Sequence, residues 1–493
     1  METPLVVSGI AGLLVIISLI QPLARRLGLA PSVLLAVVGI GIGALAAHLL
    51  FRTHTDTFNE IARLFVYLPL DSEAILYTFL PLLLFQTTLT LDVRRMAEDA
   101  GVIFVLAVVA VLVATAVIGL ALYPLAGVSL VACLILGAIV ATTDPVAVVA
   151  IFRDIGAPAR LSRLVEGESL LNDAAAIALF VVLLGLLTGT NSAHLGLVAA
   201  AFVENFTGGV LVGYVGALAM VALLPLVRDF RLAQVTLSVA LPYLVYVIAE
   251  QVVGVSGVVG VVAAGVVINL NGQSRVTPDD WTYLQDIWEQ IAFWASSLIF
   301  VLASILVPKL LVDVGWHDLL LLVTLIAAAL VARAAVLYLL LPCLSALKFG
   351  HAVSTPFKTV ILWGGMRGAV TLTLALGVTE HDLISPDVQR FIAVLATGFV
   401  LFTLLVYGTT LKPLIRLLKL DQLSPIDSAL RNQVLALALE DVREGTVQAA
   451  AAYRIAPTLV EHVTGPYRQR AEAAAGPPQR SVGGVGIRVR RSR

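Results

Sequence analysis

Within Glu166-Gly-Glu-Ser-Leu-Leu-Asn-Asp173, three carboxylates, a serine and an asparagine fall in eight residues, and the run Ala174 to Leu187 that follows carries no charge. On a helix, Ser169 and Asp173 lie four residues apart, as do Glu168 and Asn172, so their polar groups form one adjoining strip. The surroundings are too apolar for a solvated surface helix. Ionisable groups at membrane depth cost ~2.5–3.5 kcal/mol each on insertion scales and mark ion or proton pathways. Burial penalises the charged form of a carboxylate. Asp173 can relieve that penalty with a proton or with a small cation, but not easily with both, and this competition alone can couple H⁺ to a monovalent cation moving the other way. Asp173 is therefore the expected exchange site.

Ser169, one turn back, and Thr143 offer neutral oxygens that suit a hard-cation shell. Such oxygen ligation is established for Ca²⁺ and Mg²⁺ and extends to Na⁺ by analogy, which makes Asp173, Ser169 and Thr143 the candidate Na⁺ ligands. Hydroxyls in membrane helices also bond their own backbone, and that alternative stays open for both. Glu168 and Asp144 need partners. Arg333 and Arg367 both lie in apolar stretches, and arginine stays protonated when buried. Glu168–Arg333 is the expected structural ion pair, with Arg367 neutralising the crossing of the two broken helices. A carboxylate paired in this way is held ionised and does not exchange protons. Asn172 informs by its neutrality: it leaves one titrating group, which predicts one proton per cation and electroneutral exchange. Glu204, Glu250 and Gln86 lie near span ends or beside neighbours able to satisfy them, which fits interface roles.

These residues need a membrane scaffold, and the composition supplies one. The 493 residues are 59% hydrophobic and 13% charged, against roughly a quarter charged in soluble domains, with a mean hydropathy of +1.00. Such a chain requires many spans. Segments of the ~20 residues that cross a bilayer are expected at 4–21, 31–50, 73–91, 101–123, 128–151, 164–187, 203–227, 232–250, 253–270, 288–307, 318–341, 358–378 and 390–411, thirteen in all, with 193–202 able to lie along the interface. The beginning reads as a first span and not as a cleaved signal, for it lacks a basic n-region. A formal net charge of −1 speaks against nucleic acid, and Cys133 and Cys343 form no disulfide or metal pattern.

Two spans are interrupted. Thr142-Thr-Asp-Pro145 places a proline where it removes a backbone donor and disfavours helix at Asp144. Trp363-Gly-Gly-Met-Arg-Gly368 sets three glycines around a cation. Broken helices in the two halves of a chain are the sequence mark of a transporter site between inverted repeats. Loops holding Arg25, Arg26, Arg94, Arg95, Arg153, Arg160, Arg163, Arg228, Arg231, Arg275 and Lys348 alternate with loops holding only Arg52, Arg63 and Lys309. The basic set is expected to be cytoplasmic, which puts the N-terminus outside and the C-terminus inside. Residues 1–412 then form the membrane domain, 413–472 a cytoplasmic helical tail, and 473–493 a disordered basic end.

The motifs Thr142-Thr-Asp-Pro-Val-Ala-Val148, Glu166 to Asp173, Gly364-Gly-Met-Arg-Gly-Ala-Val370, Phe79-Leu-Pro-Leu-Leu-Leu-Phe85 with Leu91-Asp92, and Ala249-Glu250 with Ser256-Gly257 resemble the sodium/proton exchangers of the first cation:proton antiporter family, in order, over roughly residues 5–412. The resemblance implies an all-α polytopic protein with thirteen spans and inverted repeats, a homodimer built on a dimerisation domain, and a separate core of six helices. It implies that Asp173 is the ion-binding acid, surrounded by Glu168, Ser169 and the Thr143 region, that an embedded arginine pairs with Glu168, and that Asn172-Asp173 marks the electroneutral branch. Gln86 departs from it, since many bacterial members carry glutamate there. The function so implied is Na⁺(Li⁺)/H⁺ antiport in a bacterial inner membrane, serving pH homeostasis without a resident cofactor; its partners are membrane lipid, cations and protons. The alternatives are K⁺/H⁺ antiport at the same site and, from another class, an intramembrane aspartyl protease using Asp144 and Asp173. That enzyme type's Tyr-Asp and Gly-x-Gly-Asp pairings are absent, and no selectivity-filter sequence suggests a channel.

Overall fold

In the computed structural model, residues 3–27, 31–50, 72–189, 195–305, 307–311, 314–346, 352–420 and 425–453 are described, with short pieces between 460 and 470. Arg52, Arg63 and Lys348, used above for orientation, and the basic end at 473–493 lie outside the described residues. Among the described residues every regular element is a helix, as expected where lipid leaves backbone groups no other partners.

The helices are α1 (Thr3–Leu27), α2 (Pro31–Leu50), α3 (Ser72–Thr90), α4 (Val93–Ala126), α5 (Leu130–Ala141), α6 (Pro145–Ile155), α7 (Ala159–Leu187), α8 (Leu195–Leu223), α9 (Arg231–Val253), α10 (Gly257–Gly272), α11 (Pro278–Ile305), α12 (Trp316–Cys343), α13 (Thr355–Trp363), α14 (Ala369–Thr379), α15 (Pro386–Leu417) and α16 (Pro425–Ala452). Among the described residues, seven are long and apolar enough to cross a bilayer, and five shorter apolar helices accompany them. Residues 195–202 are the opening turns of α8. The last membrane helix runs to Leu417, beyond the expected end of its span at 411. The chain divides into two compact units, Met1–Lys419 and Leu420–Arg493. In the second, α16 exposes Val434 and Leu437.

Within the first unit, α4 packs on α5 and α12, α5 on α7 and α15, and α14 on α15. A second set joins α8 to α10, α3 to α10 and α11, and α2 to α11. The sets meet where α7 touches α8 and α10, and where α14 touches α3 and α11. Both expected interruptions are present. The first separates α5 from α6, and the second separates α13 from α14. At the first, Thr142 is extended (φ −59°, ψ 140°), and Pro145 opens α6, where its missing N–H costs nothing. Among the described residues, four π-helical turns, at Val105–Val109, Ile248–Val253, Val336–Leu340 and Thr403–Tyr407, were not expected from the sequence. Each inserts a residue into the ladder, a geometry often seen at functional sites.

Candidate functional site

The two breaks cross in contact. The backbone N–H of Asp144 donates to the carbonyl of Met366 at 2.9 Å, and the hydroxyls of Thr142 and Thr371 lie 2.7 Å apart. Gly368 makes this approach possible, since a Cβ there would stand 2.8 Å from Cβ of Asp144.

Against this crossing lies the polar strip of α7, and it converges on one residue. Thr143 is buried, and three side chains of α7 take up its polar groups. Its N–H donates to Asp173, its carbonyl accepts from Ser169 Oγ at 2.5 Å, and its Oγ1 accepts from Asn172 Nδ2 at 2.6 Å. The 169/172/173 spacing presents all three on one face of the helix, and the loss of helical geometry at Thr143 frees the backbone groups that they bind. Two acceptors at this junction, Asp173 Oδ1 and Asn172 Oδ1, are buried without a hydrogen-bond partner among the described residues. A carboxylate oxygen beside an amide oxygen, with the Ser169 and Thr143 oxygens close by, is a donor set for a small hard cation or for a proton on the carboxylate.

Glu168 projects elsewhere. It is 2% exposed, and its Oε1 lies 2.5 Å from Arg333 Nη2. Arg333 Nε also donates to the carbonyl of Ile361 at 3.0 Å, so the guanidinium ties α12 to both α7 and α13. Gly365 faces that guanidinium, where a Cβ would lie 3.3 Å from Cζ. Arg367 is also buried, but among the described residues it makes no ion pair. Its N–H donates to Thr403 Oγ1 at 3.1 Å, its guanidinium lies 5.7 Å from the Phe399 ring centre, and its Nε and Nη1 have no partner. Glu168 and Asp173 are near enough for their charges to act on it. The crossing thus brings together Thr143, Asp144, Glu168, Ser169, Asn172, Asp173, Arg333 and Arg367. The sequence reading placed Thr142 in the broken span without assigning it a site role, and did not include Thr371, Thr403 and Phe399. Their only signal is a hydroxyl or ring in an apolar run, and most such residues serve their own helix.

The residues weighed as secondary sit apart. Glu250, on a π turn, accepts from the Tyr77 hydroxyl at 2.9 Å. Glu204 is exposed on α8 and Gln86 is half-buried on α3. No cluster of three or more His, Cys, Asp or Glu suited to a metal occurs among the described residues.

Comparison with known proteins adds the family. The model described as "Sodium/hydrogen exchanger, transmembrane" matches residues 12–417. The chain belongs to the sodium/hydrogen exchanger family. Members are secondary transporters and not enzymes, which sets aside the protease reading of Asp144 and Asp173. Among curated relatives of this exchanger, the Na(+)/H(+) antiporter ApNhaP of Aphanothece halophytica is 35% identical over 354 residues, covering 71% of this chain and 66% of that protein. Sodium/hydrogen exchanger 7 of Arabidopsis thaliana is 31% identical over 417 residues, 79% of this chain and 34% of its own length. NhaP of Pseudomonas aeruginosa is 31% identical over 396 residues, 76% and 90% respectively. The exchanger chain thus spans only a third to two thirds of the first two proteins. The solved structure of the sodium proton antiporter MjNhaP1 from Methanocaldococcus jannaschii superposes with a TM-score of 0.66, covering 85% of this chain and all of the other at 19% identity. That likeness shows a shared polytopic fold.

Proposed function

We propose that this protein is an electroneutral Na⁺/H⁺ antiporter that also accepts Li⁺ and exchanges one cation for one proton at Asp173 by alternating access. The observation that carries the reading is the junction at Thr143. There a broken helix is held by three residues of α7, while a carboxylate oxygen and an amide oxygen remain buried and unpartnered. Asp173 supplies the charge that a cation or a proton neutralises, and Ser169, Thr143 and Asn172 supply neutral oxygens around it. Glu168, bound to Arg333, is a permanent strut and takes no part in proton exchange. With Asn172 neutral, one proton is released per cation bound. Homologues named as Na⁺/H⁺ antiporters support the choice of ions.

The rest of the reading follows from the basic loops and the apolar surface: a homodimer in the cell's inner membrane, its N-terminus outside and its C-terminal tail cytoplasmic. A core carrying the crossing moves against a dimerisation domain, and membrane lipid and the second subunit cover the exposed apolar faces. The test uses purified protein in liposomes loaded with a pH-sensitive dye. The vesicles are challenged with Na⁺, Li⁺ and K⁺, with and without a potassium ionophore to clamp voltage. Proton movement driven by Na⁺ and Li⁺, at a rate indifferent to voltage, is expected. No cation-driven movement overturns antiport, a strong voltage dependence overturns electroneutrality, and movement with K⁺ alone replaces the substrate.

A further inference from the structure

Arg367 carries a full positive charge and two unpartnered donors within a site whose carboxylates, Asp173 and Glu168, each keep one unpartnered oxygen. Left free, a guanidinium so placed would swing to one of those oxygens, because an ion pair is the cheapest state for a buried charge. Among the described residues it makes no ion pair, and two groups of α15 contact Arg367, one at its peptide and one at its guanidinium. Thr403 Oγ1 accepts the Arg367 N–H at 3.1 Å while donating to the carbonyl of Val400 at 3.0 Å. Phe399, one turn earlier on the same face, lies under the guanidinium at 5.7 Å. The peptide is fixed at one point and the charge at another. Thr403 is fully buried and opens the π turn Thr403–Tyr407, the local distortion that accompanies this contact. At the break, the N–H of Gly364 reaches Val360 and that of Met366 reaches Gly364, both within the same stretch of chain. The Arg367 N–H, by contrast, is satisfied by a side chain from another helix.

We propose that Thr403, with Phe399, is a clamp that holds Arg367 off the exchange carboxylate, and that Thr403 is thereby a positioning residue for cation binding. The inference rests on the reading that Asp173 exchanges cations. Thr403→Val keeps the shape of the side chain but removes the acceptor, leaving a buried N–H that the break must turn to satisfy. Turning that peptide releases the guanidinium toward Asp173, where it competes with Na⁺. The half-saturating Na⁺ concentration is therefore expected to rise about tenfold, equivalent to 1.4 kcal/mol of competition, while Thr403→Ser returns it to within about twofold of the natural protein.

The measurement is Na⁺-dependent proton movement in dye-loaded liposomes, with the thermal midpoint and the amount of monodisperse protein recorded for each variant. An unchanged half-saturating Na⁺ concentration, with a maximal rate that falls only as folded protein falls, overturns the clamp and leaves Thr403 a structural residue. A serine variant as impaired as the valine variant overturns it too. Should Thr403→Val fail to fold, Thr403→Ala removes the same acceptor with less bulk and is judged by the same criteria. Absence of exchange in the natural protein would instead strike at the function itself, so the two failures are distinguishable.

Discussion

The crossing of the broken helices and the bundle of α3, α10 and α11 both bury polar side chains, but they treat them in opposite ways. In the bundle, the amide nitrogen of Asn269 on α10 donates to the carbonyls of Thr88, Leu89 and Leu91 at 2.9, 3.1 and 3.0 Å. Gln285 on α11 adds a bond to Leu89 at 3.1 Å, and Trp288 donates to Ser238 of α9 at 2.9 Å. Asn269 and Gln285 close the carbonyl end of α3, which a helix leaves open. At the crossing, by contrast, Asp173, Asn172, Glu168 and Arg367 each keep a buried atom without a partner among the described residues. Such atoms are costly and persist where something else is meant to bind them. On the proposed function, the saturated set is scaffold and the unsaturated set is where an ion or proton completes the shell.

The contrast makes predictions that separate stability from exchange. Its largest expected effect is at Asp173. Asp173→Asn keeps the shape and removes the charge proposed to exchange, so the variant should fold with a normal thermal midpoint, and exchange in liposomes should fall at least about a hundredfold, in line with loss of an essential acid–base group. Retained exchange would move the site elsewhere. Next comes the ion pair. Arg333→Ala leaves Glu168 charged and uncompensated at 2% exposure, a loss of about 3–5 kcal/mol that a thermal melt in detergent would show. Replacing both Glu168 and Arg333 by leucine should recover much of that loss, because paired apolar groups carry no desolvation penalty.

On the saturated side the effect is smaller and of another kind. Asn269→Leu strips three carbonyls of one shared donor, with a cost of about 1–3 kcal/mol. The melt should fall while the half-saturating Na⁺ concentration of the surviving protein stays unchanged. A shift in that concentration would show that the scaffold bundle reaches into the ion site.

How far the sequence revealed this division differs between the two regions. The crossing was legible because its signals are local. Proline after Asp144 and three glycines around Arg367 break helices wherever they stand, and the 169/172/173 spacing fixes one helical face whatever packs on it. The convergence of that face on Thr143 was not legible, for it depends on which backbone atoms the break turns toward α7. Nor were the π turns, which arise from contacts between helices: Thr403 reads as any hydroxyl in an apolar run until Arg367 is placed beside it. Asn269 was missed for the same reason, since its three acceptors lie about 180 residues earlier in the chain.

The smallest expected effect tests the border between the two kinds of region. Gly365 belongs to the break, yet its role is to let the chain pass the Arg333 guanidinium, which is already saturated by Glu168 and Ile361. A methyl at Gly365 would meet Cζ at 3.3 Å and Nε at 3.4 Å, closer than relaxed packing allows by a few tenths of an ångström. The guanidinium is held at two points, by Glu168 and the carbonyl of Ile361, so the break itself is expected to move. Overpacking of this size costs about 1 kcal/mol, and the melt of Gly365→Ala should fall only slightly. If the break is the mobile partner, the half-saturating Na⁺ concentration should shift in the same variant, although the residue touches no exchanging group. If the guanidinium yields instead, the melt alone should change, and Gly365 would then belong with Asn269 to the scaffold.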